Sequence, residues 1–181
     1  MSAAGGERDR LFFALWPDAL TREGLAAMGA MLRLDAGARA VPEENLHLTV
    51  AFVGGVDQAQ AASVRAIGAA RREAACTLRF DAFEYWPKPE VVVVVARAID
   101  PPLGRLWLEL HRELAAEGLA LNPKRLRPHV TLATRVSAQP ALARAPILEW
   151  RAKELSLVRS ETGGANSIYT VVATWLLLDE R

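Results

Sequence analysis

The sequence is most informative in what it is short of. Its 181 residues hold one cysteine, Cys76, and three histidines. A single cysteine excludes an internal disulfide and any zinc site built from several thiolates. Lysine and arginine (22) nearly balance aspartate and glutamate (21), leaving a net charge of +1. No global basic field is available to gather nucleic acid, so any contact with it must be local. Long apolar runs are missing too. "LFFALW" (11–16) and "VVVVVA" (91–96) are strand-sized, too short for a signal peptide or a membrane span. The polar start "MSAAGGERDR" reads as a tail, flexible over residues 1–8. These shortages predict a reducing, cytoplasmic compartment with no membrane partner; one domain over 1–181 and a monomer are expected. A hydrophobic content of 51% suffices for a core.

What the chain does contain is a repeated setting for histidine. His47 lies in "NLHLTVAFVGG" and His129 in "RLRPHVTLAT", each followed two residues later by threonine, Thr49 and Thr131. With eight threonines in 181 residues, two such hits among three histidines have a chance below about 1%. One H-x-T in a strand is usually structural; two copies argue for a shared task.

Periodicity places the copies on strands. "RLFFALW" (10–16) is strand-like and ends at Pro17. Leu25, Met28 and Leu32 share a helix face over about 18–34, with Asp18 as N-cap. "LHLTVAFV" (46–53) is a strand closed by Gly54 and Gly55. An alanine-rich helix follows over 57–75. "TLRFDAFEYW" (77–86) alternates as one strand, with Leu78, Phe80, Ala82 and Glu84 on one face. After the turn 87–89, residues 90–99 read as a strand buried on both faces. Pro101 and Pro102 open a helix with Leu103, Leu106, Leu110 and Leu114 inward and Gly118 near its C-cap. Residues 128–136 form the second histidine strand. Two more strands, 152–160 and 167–178, flank a Gly163–Gly164 turn.

The order predicts an α+β, bilobal fold. Two pseudo-symmetric lobes would each carry a mainly antiparallel sheet, helices and one H-x-T strand, with a cleft between them. Side chains alternate along a strand, so His47 and Thr49 share a face, and so do His129 and Thr131. Facing lobes then place two imidazoles and two hydroxyls about one gap. Two histidines suit acid–base catalysis, since one can be protonated while the other is neutral. Threonine hydroxyls can donate to a small oxyanion such as a phosphoryl group. Two histidines without a carboxylate cluster are a poor metal site, so no metal and no cofactor is expected.

Paired H-x-T motifs in a chain of this size resemble the 2H phosphoesterase superfamily. Within it, the sequence is similar to the bacterial RNA 2′,3′-cyclic phosphodiesterases, also called 2′–5′ RNA ligases. "RLFFAL" matches that family's first strand, "NLHLTVAFVG" its first motif with Phe52 and Gly54, and "RLRPHVTLA" its second with Arg127. "LVRSETGGANSIYTVVATW" matches the C-terminal strand pair with Tyr169. Family members often carry arginine five residues after the second histidine; here that place is Thr134, and Arg135 follows, on the opposite face of an unbroken strand. The resemblance implies metal-free hydrolysis of an RNA terminal 2′,3′-cyclic phosphodiester to a 2′-phosphomonoester. The reversal would be an ATP-independent 2′–5′ ligation. It further implies His47 as proton donor and His129 as proton acceptor, assisted by Thr49 and Thr131; residues alone do not order the two histidines.

Other residues have two readings each. Arg127, in the basic stretch "NPKRLRP" (122–128), either sits on a solvated loop or binds phosphate. Phe12 and Phe52 either line the cleft and stack on a base or pack in the core. Tyr169 is a cleft residue on resemblance alone. His111 reads as a surface residue, and the five tryptophans as core or lobe packing. The partner implied is an RNA end carrying a 2′,3′-cyclic phosphate, or a related nucleotide. Two alternatives differ in class: a 2H phosphodiesterase acting on a small cyclic-phosphate nucleotide or a 2′,5′-oligoadenylate, and a non-catalytic RNA-end-binding module.

Overall fold

A computed structural model describes residues 8–119, 125–163 and 166–179. In chain order the elements are β1 (Asp9–Leu15), α1 (Ala19–Ala30), a two-residue strand β2 (Arg39–Ala40), a 3-10 turn (Glu43–Asn45), β3 (Leu48–Val56) and α2 (Gln58–Ala69). There follow β4 (Cys76–Phe80), β5 (Ala82–Trp86), β6 (Val91–Val95), α3 (Pro101–Ala116), β7 (His129–Thr134), β8 (Leu148–Ala152), β9 (Glu154–Gly163) and β10 (Asn166–Leu176). The tail expected over 1–8 lies outside the described residues except for Arg8. So do 122–124 of the basic stretch.

Two four-stranded antiparallel sheets carry the fold, in the orders β10-β9-β1-β3 and β2-β7-β6-β5; β4 and β8 make a separate pair. Each large sheet holds one H-x-T segment, as the duplicated motif predicted. The largest apolar cluster runs beneath both. It joins Phe13 and Leu15 of β1, Leu155 and Leu157 of β9, Val94 of β6, and Val130 and Leu132 of β7. The inward leucines of α3 at 103, 106, 110 and 114 are fully buried in it, each burial contributing about 1.5–3 kcal/mol. Gly68 of α2 lets β10 approach: a Cβ there would lie 2.3 Å from the Trp175 ring.

Local signals account for the helix ends. Asp18 accepts from the Thr21 amide at 2.8 Å, the N-cap expected for α1. Asp57 and Gln60 form a capping box on α2. Pro101 and Pro102 occupy the first turn of α3, and Gly118, with φ +72°, follows its C-terminus. α2 is shorter than its periodicity suggested. Past Ala69 the buried Arg71 turns back to the Ile67 carbonyl at 3.1 Å and to Glu113 at 2.6 Å, which draws the chain out of the helix.

One strand expected over 77–86 is two. The chain breaks at Asp81, so β4 pairs with β8 and β5 joins the second sheet against β6. Burial alternates without interruption from Cys76 to Phe80, and Ala82 continues it, so no periodicity marks the change of partner. β2 and β8 were not foreseen; β2 is two exposed residues long, and β8 is five residues long with Trp150 and Ala152 inward. Cys76 is buried, and burial with the nearby Asp100 and Glu73 carboxylates pushes its thiol up to about 12, far from a reactive thiolate.

Candidate active site

Both histidine strands are bulged at the same place. In β3, Thr49 faces Ala14 and Ala51 faces Phe13, leaving Val50 unpaired. In β7, Thr131 faces Val93 and Ala133 faces Val92, leaving Leu132 unpaired. The extra residue reverses the alternation beyond it. The fifth position after each histidine, Phe52 in one copy and Thr134 in the other, therefore turns back to the histidine face, and both line the same cleft. Arg135 does not take the place of Thr134. It leaves the strand with φ +56° and is exposed.

The cleft between the two sheets has a volume of about 470 Å³, the size of a small-ligand site. His47, Thr49, Phe12, Phe52 and Tyr169 line it from the first sheet, and His129 and Thr131 from the second. The expected residues are thus brought together, with one exception. Arg127 lies in a smaller neighbouring cavity. Its guanidinium sits 4.7 Å over the Trp86 ring and pairs with Glu84 at 2.6 Å. Two residues before β7, it is held by the Trp86 ring and Glu84.

His47 stands in an aromatic box. Trp16 stacks parallel to it with centroids 5.1 Å apart, and Phe12 and Tyr169 close two further sides at 5.1 and 5.2 Å. Its Nδ1 lies 2.6 Å from the Asn45 carbonyl, which can only accept, so Nδ1 carries the proton. In the neutral ring Nε2 then accepts from the Thr49 hydroxyl at 3.1 Å. Burial disfavours the charged ring and pushes its pKa down to about 4, against the Asn45 carbonyl and with His129 adding a like charge.

His129 repeats the tautomer in different surroundings. Its Nδ1–H donates to the Arg127 carbonyl at 2.6 Å, leaving Nε2 for the cleft. Trp86 packs against it at 4.5 Å. Glu84 accepts from Trp86 Nε1 at 2.7 Å and from Arg127 at 2.6 Å, tying ring and guanidinium together. Burial lowers the His129 pKa; the Arg127 guanidinium lowers it too, while the Arg127 carbonyl and Glu84 oppose.

All five tryptophans pack against apolar clusters, as expected, and two do more: Trp16 and Trp86 each brace one histidine. A signal existed: Trp16 ends the first strand on the face of Phe12, and Trp86 follows Glu84 by two. His111 is half-buried on α3, its Nδ1 2.7 Å from the Trp107 carbonyl, away from the cleft. Among the described residues no three His, Cys, Asp or Glu side chains gather as a metal site. No helix among them is long and apolar enough to cross a membrane.

The cleft thus brings two imidazoles and two threonine hydroxyls together, and the family follows from the whole chain. The model of the 2′-5′ RNA ligase superfamily matches residues 17–164, and the chain belongs to that family. The chain is 31% identical over 184 residues to the RNA 2′,3′-cyclic phosphodiesterase of Thermus thermophilus, covering 95% of this chain and 92% of that protein. It is 29% identical over 175 residues to the RNA 2′,3′-cyclic phosphodiesterase of Escherichia coli, covering 94% and 98%. The crystal structure of E. coli LigT complexed with 3′-AMP superposes with a TM-score of 0.85 at 26% identity, covering 94% of this chain and 99% of that one.

Proposed function

We propose that the protein hydrolyses the terminal 2′,3′-cyclic phosphodiester of RNA to a 2′-phosphomonoester without a metal, as a monomer in the cytoplasm. One observation carries this reading: both histidines bind a backbone carbonyl through Nδ1–H and so present Nε2 to the same cleft, each with a threonine beside it. That is the arrangement an in-line displacement at phosphorus needs, with a base and an acid on opposite sides. The two curated relatives bear the name of this activity.

In the proposed step His129 Nε2 takes a proton from water as its oxygen attacks phosphorus. The bond from phosphorus to O3′ breaks, and His47 Nε2–H delivers a proton to O3′. Thr49 and Thr131 donate hydrogen bonds to the non-bridging oxygens, whose charge grows in the transition state. The reverse step, with a 5′-hydroxyl in place of water, would give a 2′–5′ bond. A phosphate contact from Arg127 would require its guanidinium to leave Glu84.

The order of acid and base follows the family resemblance. The protein's own groups favour the reverse order, because burial in the aromatic box pushes the His47 pKa down to about 4, whereas the His129 pKa, also lowered by burial, is not pushed so far. A bound phosphate anion raises both pKa values, and more strongly where water is excluded. Chromatography of the product decides between the readings. A 2′-phosphate, with His47→Ala rescued more than His129→Ala by a good leaving group at the 3′ position, supports His47 as donor. A 3′-phosphate product or the opposite rescue reverses the roles. Binding of a cyclic-phosphate end without turnover would reject the catalytic reading.

A further inference from the structure

We infer that Arg10, with Ser160 beside it, holds the phosphodiester on the 5′ side of the terminal nucleotide, so that the cleft selects an RNA end over a free cyclic nucleotide. This rests on the proposed phosphodiesterase reading. Among the described residues that line the cleft, Arg10 bears the one permanent charge. It is exposed, and among the described residues its side chain has neither an ion pair nor a hydrogen bond. The contrast with Arg127, which is neutralised by Glu84, is direct. An unpaired guanidinium facing a cleft for an anionic chain is suited to bind phosphate oxygens two at a time.

Its place along β1 gives the subsite its distance. Arg10 pairs with Gly55 on one side and Ser160 on the other, while Ala14 pairs with Thr49. Four residues of strand separate the two rows, about 13 Å at about 3.3 Å each. An arginine side chain reaching into that interval leaves room for one nucleotide. Between the rows stands Phe52, 72% exposed within the cleft, an apolar face for a base or ribose. Beyond it the floor is bare. Gly54 has φ +89°, which favours glycine, and a Cβ there would meet nothing within 4 Å. Ser160 lines this end as well, and its hydroxyl adds a donor.

A phosphate held there is absent from a mononucleoside 2′,3′-cyclic phosphate and present in a dinucleotide ending in one. The test compares kcat/KM for these two substrates. In Arg10→Ala the dinucleotide should lose about tenfold, the worth of one charge-assisted phosphate contact, while the mononucleoside substrate is unchanged. Arg10→Lys should keep part of the preference. Raising the salt should erode the dinucleotide's advantage in the wild type and not in Arg10→Ala. Equal loss on both substrates, or no loss on either, overturns the inference. So does the same selective loss in Arg39→Ala with none in Arg10→Ala, which would put the subsite on the opposite wall. A wild-type protein inactive on both substrates would instead reject the phosphodiesterase reading.

Discussion

The two histidines are alike in everything that depends on their own strands and unlike in what surrounds them. Each returns its Nδ1 to a carbonyl two residues back, each has threonine at +2, and each strand is bulged at +3. Yet His47 is boxed by Trp16, Phe12 and Tyr169, while His129 leans on one tryptophan tied to an acid and an arginine. A duplicated motif therefore aims two equal bases at one point. The walls decide how tightly each holds a proton. A reaction needing one acid and one base requires that inequality.

The largest test of the comparison removes each imidazole. His47→Ala and His129→Ala should each lower kcat by about 10²–10⁴ with little change in folding, since each deletes a proton-transfer partner. A double variant that keeps near wild-type turnover would remove both from the chemistry.

Thr49→Ala and Thr131→Ala should cost less, about 10² in kcat for one donor to the phosphoryl oxygens. They differ in a second readout. Thr49 is hydrogen-bonded to His47 Nε2, so Thr49→Ala should shift the His47 titration. Thr131→Ala should leave His129 unmoved. NMR titration of the two rings checks this, and equal behaviour would contradict the asymmetry.

The same titration on the wild type should find His47 neutral down to about pH 4 and His129 protonating below its ordinary 6.5. The sign follows from the proton count. Catalysis needs one proton shared over two rings whose free-protein pKa values are both lowered. The optimum of kcat/KM should therefore lie on the acid side of 6.5, with activity falling as pH rises past both values. In the substrate complex the phosphate anion raises both, so the kcat profile should sit at higher pH. Coincident profiles would count against the phosphate lying between the rings. Glu84→Gln should lower the His129 pKa and leave that of His47 alone.

The smallest expected effect is none. EDTA should leave the rate unchanged, because the two imidazoles and two hydroxyls supply acid, base and oxyanion donors unaided. Loss of activity restored by Zn²⁺ or Mn²⁺ would require a different mechanism.

The residues that carry the proposed chemistry were legible in the chain because strand alternation is local. Thr49 and Thr131 must share a face with His47 and His129 whatever else the fold does. The helix starts were legible for the same reason, but α1 and α2 end at Ala30 and Ala69, short of the 34 and 75 their spacing suggested. The break at Asp81 was not, since Phe80 and Ala82 obey one alternation while pairing in different sheets. Nor were the bulges at Val50 and Leu132, which bring Phe52 and Thr134 to the cleft and send Arg135 out; a bulge is visible only against the partner strand. Trp16, Trp86 and Glu84 belong to the site through neighbours far away in sequence. The sequence by itself determined which side chains point together, because each peptide unit constrains the next. Only the tertiary structure decided what they point at and which of them can hold a charge, because burial and opposing charges are set by residues that are distant along the chain.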